Sequence, residues 1–114
     1  MKINKAQIVE IDQTNFNTKV LGSEEPVMVA FLAPWSQPCR IFGPVLEEVA
    51  DACAKTLKVV RLNADSFPDL GVWYNIHSIP TLLCFVNGEV RVRIVGTASK
   101  EAILSKLEPL LRRV

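Results

Sequence analysis

Histidine occurs once in this sequence, as His77, and cysteine only three times, as Cys39, Cys53 and Cys84. A single imidazole leaves little for histidine-based metal sites or general-base catalysis near neutral pH. The three cysteines stand far apart, none with a second cysteine or a histidine beside it. An odd, unclustered count argues against a disulfide scaffold, and the spacing argues against zinc. No segment approaches the roughly 20 apolar residues of a membrane-spanning helix. The opening MKINKAQIVEIDQ lacks the apolar stretch of about 7–15 residues that marks a secretory signal. Charge of one sign is also missing: the net value is +1, lysine and arginine are scattered, and Arg112–Arg113 is the only adjacent basic pair. No basic patch for nucleic acid or an anionic membrane is expected. A cytoplasmic protein with no nucleic-acid or membrane partner, no metal and no cofactor is the expectation.

Internal repeats, low-complexity stretches and Gly/Ser linkers are absent too, so residues 1–114 read as one domain. Its length suffices for one self-supporting core, and 49% hydrophobic with 22% charged residues is an ordinary globular mixture.

The apolar pattern predicts alternating elements. Residues 7–11 read as a short edge strand, and 12–21 as a helix carrying Phe16, Val20 and Leu21, ended by Gly22. Residues 27–33, VMVAFLA, are continuously apolar, as suits a strand buried on both faces. From Pro38, the residues Phe42, Val45, Leu46, Val49, Ala50 and Cys53 recur at helical spacing, with Pro44 inside. Pro44 should kink that helix, because it removes a backbone donor and crowds a preceding carbonyl. LKVVRLN, 57–63, is a second buried-type strand, which makes a parallel pair with a crossover helix. A short helix over 68–74, opened by Ser66, comes next. LLCFV then leads to Asn87–Gly88, a strong hairpin signal, and a strand 89–95 that alternates Val90, Val92 and Ile94 with Arg91 and Arg93. A last helix from Ser99 carries Ile103, Leu104, Leu107, Leu111 and Val114 on one face, with a kink expected at Pro109. The order is β-α-β-α-β-α-β-β-α, an α/β fold with a mixed central sheet and helices on both faces.

The stretch FLAPWSQPCRIFGP, residues 31–44, places a thiol one turn inside a helix and a serine at its head. With VMVAFLAPW, PCRIFGPVLEEVA, VVRLNAD, SIPTLLCFVNGEV and VGTASKEAI in this order, nearly the whole chain resembles the thioredoxin family. That resemblance implies the thioredoxin fold, a cis peptide bond before Pro80, and a groove for extended substrate segments. The groove would comprise Trp35, Gln37, Pro38, Ser78, Ile79, Pro80, Val95 and Gly96, with backbone groups beside the proline pairing to the bound chain.

Two positions depart from the family pattern. Its motif has two cysteines flanking Gly-Pro, and here it reads Ser36-Gln37-Pro38-Cys39. The family's buried aspartate, which assists proton transfer at the second thiol, is replaced by Ala30, and Arg61 stands where a lysine is common. Disulfide exchange needs a thiolate to attack sulfur and a second thiol to release the mixed product. A serine hydroxyl ionises orders of magnitude less than a thiol and forms no disulfide, so Ser36 is expected to end the two-thiol cycle. Serine at this place is a good helix N-cap. As a nucleophile it would need a base, and His77 is the only histidine. Cys39 reads either as an inert packed thiol or as a single thiol able to form a mixed disulfide with glutathione or a partner. Cys53 and Cys84 read as core. The expected function is protein or peptide binding through the retained groove, with monothiol oxidoreductase chemistry at Cys39 as the alternative. The joint change at Ala30 and Ser36 favours a naturally redox-disabled domain over a laboratory substitution.

Overall fold

The computed structural model describes residues 8–112. Gln7 of the expected first strand and Val114 of the expected last apolar face lie outside the described residues. Five strands are present among the described residues: β1 (Val9–Ile11), β2 (Val27–Leu32), β3 (Lys58–Asn63), β4 (Thr81–Val86) and β5 (Glu89–Val95). Three α-helices accompany them: α1 (Gln37–Ala52), α2 (Pro68–Trp73) and α3 (Lys100–Leu111). The strands form one sheet in the order β1-β3-β2-β4-β5. β3 runs parallel to β1 and to β2, while β4 is antiparallel to both β2 and β5.

The continuous apolar run of β2 follows from this placement. As the central strand it sends Met28 and Ala30 into a core with Phe42, Leu46 and Val49 of α1 and Ile103 and Leu107 of α3. Val27, Val29 and Phe31 point to the other face, against Phe16, Val20, Leu62 and Phe85. Leu70 and Tyr74, from α2 and just after it, close that second core. Tyr74, Phe16 and Phe85 meet there with ring centroids 5.4–5.8 Å apart. Each pair of this kind contributes about 0.5–1.5 kcal/mol beyond its buried area.

Local chemistry sets the ends. Asn87 and Gly88 both have positive φ, 52° and 82°, the paired left-handed geometry of a tight hairpin. Ser99 caps α3, its Oγ accepting from the Ala102 N–H at 3.1 Å. Both α1 and α3 continue through their internal prolines, and Pro44 and Pro109 are exposed, where water can serve the carbonyl each leaves unpaired.

Three sequence expectations are corrected. The helix expected over 12–21 is a turn followed by a five-residue π-helical segment, Asn17–Leu21. The Asp12 carboxylate accepts from the backbone N–H groups of Thr14 and Asn15, holding a turn in place of a helix start. Ser66 does not cap α2: Phe67 occupies that place without a side-chain hydrogen bond, and the Ser66 N–H donates to Asn63 Oδ1. In β5 the alternation is graded, with Ile94 buried, Val92 half-buried and Val90 exposed. A register shift at Cys84/Phe85 leaves Arg91 as the extra residue of a bulge on this edge strand.

Candidate functional site

β2 delivers the chain to a turn at Pro34–Trp35, after which α1 begins. Ser36 is the N-cap, in extended conformation, and its Oγ accepts from the Cys39 N–H at 3.3 Å. Its own N–H donates to the Ala33 carbonyl, so the serine is built into the turn and is only 3% exposed. The Arg40 guanidinium donates to the Pro34 carbonyl at 2.9 Å and braces the same turn. Trp35 projects outward at 66% exposure, its indole N–H donating to Oδ2 of Asp65. Asp65 is in turn placed by its N–H, which donates to Asn63 Oδ1 at the end of β3.

The facing wall comes from the segment before β4. The Ile79–Pro80 peptide bond is cis. Thr81 Oγ1 donates to the Ser78 carbonyl at 2.7 Å, and the Gly96 N–H donates to the Pro80 carbonyl at 2.8 Å. Gly96 has φ 84°, a left-handed conformation that favours glycine. These bonds tie the Ser78–Pro80 segment to the end of β5.

An open cavity of about 710 Å³ brings together Trp35, Ser36, Pro38, Ser78 and Ile79 of the expected groove. Pro80, Val95 and Gly96 do not line it; Pro80 is buried beneath, and Val95 and Gly96 adjoin through the Gly96–Pro80 bond. Gln37 is exposed on the first turn of α1, outside the lining. Asp65, Val72 and Ile76 also line the cavity and were not anticipated. Asp65 follows the carboxyl end of β3, a placement that could have drawn attention to it. Nothing local in the sequence marks Val72. His77 shares the lining with Ser36, but the Ser36 hydroxyl is engaged by the helix cap rather than by the imidazole.

Cys39 opens elsewhere. It is 5% exposed and lines a different cavity of about 340 Å³, between α1 and the β1–β3 side of the sheet, with Leu32, Leu46, Arg61 and Leu62. Ser36 and Cys39, one helical turn apart, thus line different cavities. Arg61 pairs with Glu10 across β1–β3 at 3.8 Å, both exposed. Ala30 is fully buried one strand away from Arg61, in register with it.

Cys39, Cys53 and Cys84 are all free and buried. Burial pushes the Cys84 thiol up to about 11, with a smaller contribution from the charge of Cys53. Burial raises Cys53 as well. A thiol raised in the folded state binds its proton longer than in the unfolded chain, so its stabilising effect is complete below the unfolded value. For Cys84, stability should thus fall between about pH 9 and 11, by up to about 1.4 kcal/mol per pH unit. Urea midpoints across that range check this, and Cys84→Ala should show a shallower decline.

The sequence profile of the thioredoxin family matches residues 7–109. The chain belongs to the thioredoxin family. Its sheet order and two helical layers are the fold of that family. A thioredoxin of Synechocystis sp. is 40% identical over 102 residues, covering 90% of this chain and 95% of the relative. The chloroplastic thioredoxin M-type of Pisum sativum is 39% identical over 106 residues, covering 93% of this chain. The chloroplastic thioredoxin M5 of Oryza sativa is 38% identical over 102 residues, covering 90%. This chain spans about 60% of the length of these two plant relatives.

Proposed function

We propose that this thioredoxin-family chain is a binding module for extended or unfolded protein segments, in which the two-thiol reductase site has been lost. The observation that carries the reading is the role of Ser36: its hydroxyl caps α1 at the family's first-cysteine position, while a groove stands open around it. Capping contributes about 1 kcal/mol to the helix start, so serine is a structurally sound occupant of the position. It has no sulfur with which to open a disulfide. Recognition would use the cavity beside Trp35 and the backbone near Pro80, as an added strand does. A scaffold or chaperone-like role in the cytoplasm fits such a module.

The chain should leave insulin disulfides intact in a dithiothreitol-coupled turbidity assay, yet bind unfolded or extended peptides. Reduction at the rate of a two-cysteine thioredoxin would refute the loss of the site, and failure to bind any extended peptide would refute the module.

A second reading, monothiol exchange, is favoured by the cavity at Cys39. In that reading the Cys39 thiolate attacks glutathione disulfide, forming a Cys39–glutathione disulfide and releasing one glutathione thiolate. Mild treatment with glutathione disulfide should then add one glutathione at Cys39 by peptide mass spectrometry, and none in Cys39→Ala. An adduct confined to Cys53 or Cys84, or no adduct, would remove this reading.

A further inference from the structure

We infer that the α2 wall of the groove selects extended segments in which a large apolar side chain stands two residues from a lysine or arginine, so that both side chains fall on the face turned to the groove. This rests on the groove-binding reading above and specifies its ligand.

α2 commits few residues to the core. Leu70 and Tyr74, one helical turn apart, pack against the second core, which leaves Val72 and Trp73 directed outward. They are 79% and 78% exposed, and with Trp35 at 66% they are among the most exposed large apolar residues described. Lone exposed apolar residues are ordinary, but Val72 and Trp35 line one cavity and Trp73 adjoins Val72 in the chain. Pro38, Ile76 and Ile79 continue the same apolar lining. Such a surface takes up a large apolar side chain, the usual anchor of peptide recognition.

The charge of this wall has one sign. Asp65 is the only carboxylate in the lining, neither lysine nor arginine is part of it, and His77 is its one other ionisable side chain. Asp69, in the first turn of α2, adds a second carboxylate at the same end of the helix. Asp65 accepts from Trp35 through Oδ2, while Oδ1 has no hydrogen-bond partner among the described residues. Arg93 lies at the other end of α2, where it donates to the carbonyls of Tyr74 and Asn75. A cation on the same face of the segment as its apolar anchor would meet Asp65, whereas a carboxylate there would meet like charge. Such complementarity acts mainly on selectivity and association rate, and salt weakens it.

The test uses the full chain and short synthetic peptides identical except at two positions separated by one residue and named here by that pair, Leu-Lys, Leu-Glu or Ser-Lys. Trp35 and Trp73 are the chain's two tryptophans, so intrinsic fluorescence reports on this wall, with calorimetry as a second readout. The Leu-Lys peptide is expected to bind about tenfold more tightly than either of the others. Asp65→Asn should abolish the Lys/Glu difference while binding persists, and Val72→Ser should reduce the Leu/Ser difference. Circular dichroism on each variant verifies that it is folded. Equal affinity for Leu-Lys and Leu-Glu, or undiminished discrimination in folded Asp65→Asn, would overturn the charge selection and leave groove binding intact. Absence of binding to all three peptides and to an unfolded protein would overturn the groove reading, and this inference with it.

Discussion

Ser36→Cys is expected to confer dithiol-dependent insulin reduction on this chain. The position is the N-cap of α1, where unpaired N–H groups and the positive end of the helix dipole favour an anion. A thiol with an ordinary pKa of about 8.5 is already a few per cent ionised at neutral pH, so the rate should rise on the order of a hundredfold or more over the serine chain. The gain should stop short of a typical two-cysteine relative, because Ala30 offers no carboxylate to manage the proton of Cys39. Ser36→Cys combined with Ala30→Asp should therefore exceed Ser36→Cys alone, per folded molecule. Turnover of insulin with dithiothreitol measures all three chains. A folded Ser36→Cys variant no faster than the serine chain would show that the missing sulfur is not what silences the site. The helix start itself should be slightly weaker, by about 1 kcal/mol, once the capping oxygen is gone.

Ala30→Asp carries a larger effect on stability. Ala30 is 0% exposed, in the middle of β2, packed among Met28, Leu82 and the α1 side of the core. A carboxyl group there loses its hydration, and the charged form suffers most. Arg61 lies in register on the neighbouring strand and offsets part of this, but its side chain is half exposed and already faces Glu10. We expect a loss of about 2–4 kcal/mol in unfolding free energy at pH 7. The sign of the pH dependence follows from the raised folded pKa. The unfolded aspartate titrates near pH 3.9, so the charge penalty is absent below about pH 4. It then grows with rising pH, by about 1.4 kcal/mol per unit, until the folded carboxyl ionises. Urea titrations at mildly acidic and neutral pH check this, with Ala30→Asn as a control of nearly equal size and no titration. Stability of Ala30→Asp equal to that of the unaltered chain at pH 7 would refute the account.

These two positions illustrate what is legible in one dimension. The continuous run Val27–Leu32 already says that both faces of its strand are covered, and Ser36 just beyond it already marks the cap of the helix that carries Cys39. Asn87–Gly88 and Ser99 likewise mark their turn and helix start, because their chemistry is local. The first expected helix failed for a local reason that competes with periodicity: Asp12 captures the backbone donors that a helix start would use.

From the sequence alone come the element order, the two-faced burial of β2, and the serine and alanine at positions 36 and 30. Tertiary structure alone decided that Ser36 and Cys39 open to separate cavities, that Asp65 holds Trp35, and that Val72 and Trp73 stay in solvent beside the groove. The division has a physical cause. Periodicity, capping and turn preference act over a few residues and leave their pattern in the chain, whereas a shared cavity joins residues from distant segments whose proximity exists only once the sheet has assembled.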